Sequence, residues 1–81
     1  MNMTPNINGT SPADLIRLRV DISDAIHILQ ERMRDGWPNM RDYQLAPNPS
    51  LAFRADCIVW EAMNKALAGF SAELAAEAEA L

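Results

Sequence analysis

The chain has 81 residues, of which 49% are hydrophobic and 22% charged, and its net charge is −4. This length has room for one small domain, and such a domain buries only about 60% of its unfolded surface on folding. A single cysteine excludes an internal disulfide, and one histidine with one cysteine excludes a structural zinc site with the usual four nitrogen and sulfur ligands. Self-association is the stabilising device that remains.

The charge balance limits the possible partners. Asp and Glu number 11 against 7 Lys and Arg, which argues against broad binding to duplex nucleic acid or to an anionic membrane. No apolar run approaches the ~20 residues of a membrane span, and the N-terminus lacks the basic and apolar segments of a signal peptide. These features predict a cytoplasmic protein.

The first helix is predicted from its end signals. Residues 1–11 show no periodicity and are interpreted as a flexible tail. Ser11 can cap the free N–H groups of a helix that starts at Pro12. Gly36 can take a left-handed cap conformation and Pro38 blocks continuation, so we expect helix 1 over residues 12–35.

A second helix follows a loop over residues 36–47. Asn48-Pro49 repeats the pattern of a capping residue followed by proline, and only Gly69 interrupts the helix-forming residues that follow. We expect helix 2 over residues 48–80. Two helices and one loop predict an all-α fold, an antiparallel two-helix hairpin.

Apolar residues at three-and-four spacing predict the hairpin core. The predicted core stripe consists of Leu15, Leu18, Ile22, Ala25, Ile26, Leu29 and Met33 on helix 1 and of Ala52, Ala55, Val59, Ala62, Met63, Ala66, Phe70 and Leu74 on helix 2.

Both helices carry further apolar residues beside this stripe. The predicted second stripe consists of Ile16, Val20 and His27 on helix 1 and of Phe53, Trp60 and Leu67 on helix 2. We expect the apolar members to form an oligomer interface, in a homodimeric four-helix bundle or a higher closed ring. Two alternatives stay open: the core face is merely wide, or the stripe receives a helix of a host protein.

Nothing in the sequence points to catalysis. His27 lies three residues after Asp24, a spacing typical of a helix-surface ion pair, and Cys57 is typical of a small apolar filler. The chain has no glycine-rich phosphate loop and no metal-ligand motif. We therefore expect a protein that is not an enzyme and that uses no cofactor or metal.

The loop is longer than usual helix connections and carries Trp37, Arg41 and Tyr43, with Arg34 just before it. Aromatic rings and guanidinium groups favour recognition of a protein or of a nucleotide, so these four residues are the candidate partner-binding or ligand-binding set. In the alternative, Trp37, Tyr43 and Leu45 fold back and cap the open end of the hairpin.

The segment Pro38-Asn39-Met40-Arg41-Asp42-Tyr43-Gln44 resembles the Asn-Gly-Arg-Asp-Tyr-Tyr type loop of small helical-hairpin proteins of tailed phages and prophages. Met40 stands where that group has Gly, and Gln44 where it has a second aromatic residue. The resemblance implies a phage-type accessory protein, since such proteins often block a host regulatory, motility or defence protein, or sequester a signalling nucleotide as oligomers.

Three hypotheses on function follow. The first hypothesis is a homo-oligomeric protein that inhibits a host protein by occluding its surface. The alternative is an oligomeric sponge that binds a nucleotide-like ligand through Arg34, Trp37, Arg41 and Tyr43. A passive phage structural or assembly component is a third possibility.

Overall fold

The computed structural model describes residues 11–81 as two long helices joined by a connection that contains a short 3₁₀ helix. Helix α1 spans Pro12–Asp35, the 3₁₀ helix spans Met40–Tyr43, and helix α2 spans Pro49–Ala80. These residues contain no strand, and the predicted all-helical hairpin is confirmed. The flexible tail predicted over residues 1–11 lies, except for Ser11, outside the described residues.

Side-chain caps begin both helices. Ser11 Oγ accepts a hydrogen bond from the Asp14 N–H at 3.2 Å, and Asn48 Oδ1 accepts one from the Leu51 N–H at 3.3 Å. A proline follows each cap at the first helical position, where the missing N–H costs nothing. Local sequence therefore fixes where each helix starts.

The end of α1 differs from the expected left-handed cap. Gly36 has φ −97°, and its N–H donates to the Arg32 carbonyl oxygen at 3.0 Å. The Trp37 N–H donates to the Arg34 carbonyl oxygen at 3.4 Å, so the last turn closes without a left-handed residue. The prediction of a left-handed Gly36 was wrong, because the last turn of α1 ends in a tighter, 3₁₀-type hydrogen bond and needs no residue with positive φ.

Side-chain contacts between the helices define the hairpin seam, the line along which α1 and α2 pack antiparallel. Three pairs of polar side chains bond across this seam. From one pair to the next the residue number increases on α1 and decreases on α2, as expected for antiparallel helices. These pairs are Arg19 with Glu77, Ser23 with Ser71, and Gln30 with Asn64, at 3.2–3.3 Å. Between and beyond them lie the buried apolar side chains Leu15, Ile26, Met33 and Leu74.

The predicted core stripe was wrong for most of its large members. Leu15, Ile26, Met33 and Leu74 are buried, but six others are 40–54% exposed: Leu18, Ile22, Leu29, Val59, Met63 and Phe70. On α2 the seam instead follows the row of Trp60, Asn64, Leu67, Ser71 and Leu74. The polar pairs determine which face of α2 packs against α1, because side chains that bond across the seam must point into it.

Helix α2 continues through Gly69 without interruption. No helix within residues 11–81 combines the length and the apolar character required to cross a membrane.

Candidate interaction surfaces

One flank of the hairpin carries an uncovered row of apolar residues on each helix. We name it the lateral apolar face, and it consists of Leu18, Ile22, Ala25 and Leu29 on α1 and of Val59, Met63, Ala66 and Phe70 on α2. All eight residues are exposed. Three-and-four spacing keeps each row on one side of its helix.

Both rows lie on the same side of the hairpin. At about 100° per residue, the α1 row lies on one flank of Ile26 and Val20 lies on the other. On α2, the row lies on one flank of the seam and Ala75 on the other. Because Val20 and Ala75 line the same recess, they mark one side of the hairpin, and the two apolar rows share the opposite side.

The lateral apolar face is large for an uncovered surface. Its six large side chains are 40–54% exposed, so together they present on the order of a few hundred Å² of apolar surface. Patches of about 300–600 Å² are the largest on typical monomers and often mark interaction sites. Apolar residues that are exposed singly and at random would not form a continuous row on each of two helices.

The loop folds back onto α2 through two aromatic contacts. Trp37 meets Trp60 edge to face with ring centroids 5.7 Å apart, and Tyr43 meets Phe53 in the same way at 5.7 Å. Such edge contacts add about 0.5–1.5 kcal/mol each to the burial of the rings. Trp37 and Tyr43 thus cap the hairpin, whereas Leu45 is fully exposed and takes no part in the cap.

Tyr43 is also tied to α2 by its hydroxyl. The Tyr43 O–H donates to Asp56 Oδ2 at 2.6 Å. This hydrogen bond, followed by burial and by the negative charge of Asp56, raises the pKa of Tyr43 to about 12. A carboxylate at this position opposes the approach of an anionic ligand to the Tyr43 ring.

The four residues of the candidate ligand set do not converge on one recess. Arg34 and Trp37 line a recess of about 340 Å³ together with Gln30 and Asn64. Tyr43 is engaged by Phe53 and Asp56, and Arg41 is exposed on the 3₁₀ helix. The structure thus brings Arg34 and Trp37 together and places Arg41 and Tyr43 elsewhere.

The predicted oligomer-interface residues mostly belong to the hairpin itself. Phe53 and Trp60 are half-buried under the loop aromatics. Leu67 is half-buried on the seam face, between the bonded Asn64 and Ser71. The ring contacts and the polar pairs turn the row of Phe53, Trp60 and Leu67 toward the interior of the hairpin.

The two predicted interface residues of α1 do not lie on the lateral apolar face. Ile16 is half-buried. Val20 is 48% exposed and lines the recess with Ala75, on the side away from that face.

A buried ion pair joins the helices near the N-terminus of α1. Arg19 Nε lies 3.3 Å from Glu77 Oε2, and the two side chains are 7% and 10% exposed. Arg19 Nη1 also donates to the Leu15 carbonyl oxygen at 3.2 Å, while Glu77 Oε1 is buried without a hydrogen-bond partner. These contacts fix the seam register and explain why this part of the interior is not purely apolar.

The histidine and the cysteine of the described residues lie on different helices. His27 is exposed on α1, and Cys57 is half-buried in a shallow recess beside Phe53 and Arg54. Within residues 11–81, no three His, Cys, Asp or Glu side chains are grouped to hold a metal ion.

No family model matches the chain, and neither the curated proteins nor the solved structures include one that is similar to it.

Proposed function

We propose that this protein acts by binding a protein partner through the lateral apolar face, as a small accessory protein and not as an enzyme. One observation carries the proposal. In the described part of the chain, twelve large apolar side chains are exposed and only four are buried, so most of the hydrophobic driving force is unused by the lone hairpin.

The shape of the face favours a helical partner. Two antiparallel helices form a surface with a shallow furrow between its rows, and an amphipathic helix or a second helical pair fits such a surface. Charged residues lie outside the two rows, so the centre can be desolvated without burying a charge.

The resemblance to phage hairpin proteins suggests the biological setting of this binding. We propose that the protein acts in the cytoplasm of a bacterial host. Its target there is a regulatory, motility or defence protein, whose surface the bound accessory protein occludes.

In-cell photo-crosslinking at two adjacent positions tests the proposed function. A photoreactive phenylalanine analogue replaces Val59, on the lateral apolar face, or Ile58, which is 61% exposed and points elsewhere on the same turn. We expect a discrete protein adduct from position 59 and none from position 58, because only the former is covered by a partner.

Mass spectrometry of the adduct then identifies the bound protein. Equal labelling at both positions, or no adduct at either, would contradict a role for this face in binding.

A second candidate function rests on the recess between Arg34 and Trp37. A guanidinium group beside an aromatic ring can hold a nucleotide by charge and stacking, as a nucleotide sponge would require. If so, adding a purine nucleotide raises the melting temperature of the wild type and of Arg41→Ala, and the shift is lost in Arg34→Ala. Equal shifts in both variants would exclude this recess.

A further inference from the structure

The hairpin interior offers little apolar burial with which to stabilise a single copy of the chain. The seam holds three polar pairs beside four buried apolar side chains, and no described side chain is fully buried. Domains of this size with so small a core usually need disulfides, metals or oligomerisation. Since Cys57 has no cysteine partner, a disulfide within one chain is excluded.

The seam contacts also determine which residues of the two rows lie at the same height. Ser23 is level with Ser71, and Gln30 is level with Asn64. Between these levels, Ala25 therefore lies beside Phe70, and Leu29 lies beside Ala66. At these two heights the lateral apolar face presents one large and one small side chain, and the large one lies on α2 at the first height and on α1 at the second.

We propose that the lateral apolar face is covered by a second copy of this chain. The two copies are related by a two-fold axis that runs parallel to the helices, which places α1 of each copy on α2 of the other in antiparallel orientation. In this arrangement Leu29 meets Ala66 of the second copy, and Phe70 meets Ala25 of the second copy. The inference rests on the proposed function, since it names the partner of the same face.

The lateral apolar face is complementary to a second copy of itself, and this favours a second copy over a different protein as its partner. Because the axis preserves height along the bundle, the two large side chains at the centre, Leu29 and Phe70, each face an alanine of the other copy, as interdigitated cores require. The six large side chains and the two alanines supply the apolar centre of the roughly 800 Å² that each partner buries in a stable interface, and the polar residues that border the face supply its rim. The product is a four-helix bundle whose apolar centre is the present lateral apolar face.

Light scattering after size exclusion tests the assembly with a matched pair of variants. Leu29→Glu places a charge in the face, whereas Ile28→Glu places the same charge on the neighbouring residue, which is 58% exposed and points away from it. We expect twice the chain mass for the wild type and for Ile28→Glu, and loss of the dimer for Leu29→Glu. A monomeric wild type, or equal loss in both variants, would overturn the proposal.

Disulfide trapping tests the register without destabilising charges. In a Cys57→Ser background, chains carrying Leu29→Cys are mixed and refolded with longer-tagged chains carrying Ala66→Cys. We expect a mixed disulfide under mild oxidation, and none when Ile28→Cys replaces Leu29→Cys. A wild-type dimer that gives no mixed product would exclude this two-fold arrangement.

The two proposals fail in different ways. If the purified wild type is monomeric while position 59 still crosslinks to a different protein in cells, the second-copy inference is wrong and the proposed function stands. If position 59 crosslinks to nothing in cells, the proposed function is wrong as well.

Discussion

The contact between Tyr43 and Asp56 makes a prediction at the scale of single residues. Tyr43 is the only tyrosine of the chain, so the tyrosinate absorbance during alkaline titration reports this hydroxyl alone. We expect a pKa of about 12 in the wild type and a value closer to the ordinary 10.0 in Asp56→Asn, which loses the carboxylate acceptor. Equal pKa values in the two proteins would contradict the bond.

The sign of the accompanying stability change follows from linkage. Because folding raises the pKa of Tyr43, the unfolded chain releases the phenol proton first as the pH rises. The stability that the bond contributes is complete below pH 10 and is lost between pH 10 and 12. The wild type should therefore lose more stability than Asp56→Asn across this interval, measured by urea unfolding.

The buried pair of Arg19 and Glu77 makes a second prediction at this scale. Arg19→Met alone leaves the Glu77 carboxylate buried without its cation, and we expect it to lower the free energy of unfolding by about 3 kcal/mol. Arg19→Met combined with Glu77→Leu replaces the pair with apolar packing and should cost much less. Urea unfolding at fixed protein concentration measures both, and a double variant as unstable as the single one would contradict this account.

At the scale of elements, the glycine within α2 limits the stability of that helix. A Cβ at residue 69 would meet no atom within 4 Å, so Gly69→Ala gains helix propensity without a clash. We expect a gain of about 1 kcal/mol in the free energy of unfolding. Gly36→Ala is the comparison: its Cβ would contact Arg32 O at 3.6 Å and Trp60 at 3.7 Å outside the helix, so its gain should be smaller. Destabilisation by Gly69→Ala would contradict the open surroundings.

Helix positions were predictable from the sequence, but the buried face of α2 was not. Ser11-Pro12 and Asn48-Pro49 act within a few residues, so local chemistry determines where the helices begin. The choice of face depends on the other helix. Counting apolar residues favoured the row that contains Val59, Met63 and Phe70, which the structure leaves exposed.

The missing signal was polar and was present in both helices. Three polar residues of α1 find partners on α2 in reverse chain order: Arg19 with Glu77, Ser23 with Ser71, and Gln30 with Asn64. Matching these rows antiparallel would have identified the seam. The candidate loop set depends on contacts over longer range, since Phe53, Asp56 and Trp60 decide where Tyr43 and Trp37 lie.

At the scale of the whole molecule, the hairpin has a polar interior and an apolar flank. Polar pairs in a seam fix register but contribute little net stability, because desolvation offsets much of what each bond gains. Apolar burial supplies most folding free energy, and here the larger apolar surface lies outside the seam. The chain therefore combines a seam suited to alignment with a flank suited to association.

Coupling between folding and association follows from this division and predicts a concentration-dependent melting temperature. If two copies must meet to bury the lateral apolar face, mass action favours the folded dimer as protein concentration rises. We expect the melting temperature of the wild type and of Ile28→Glu to climb over a hundredfold range of concentration. Leu29→Glu should melt at a lower temperature that does not change with concentration, because a charge at the centre of the face prevents the docking that stabilises the hairpin. A wild-type melting temperature independent of concentration would instead mean that the polar seam suffices to hold the two helices together.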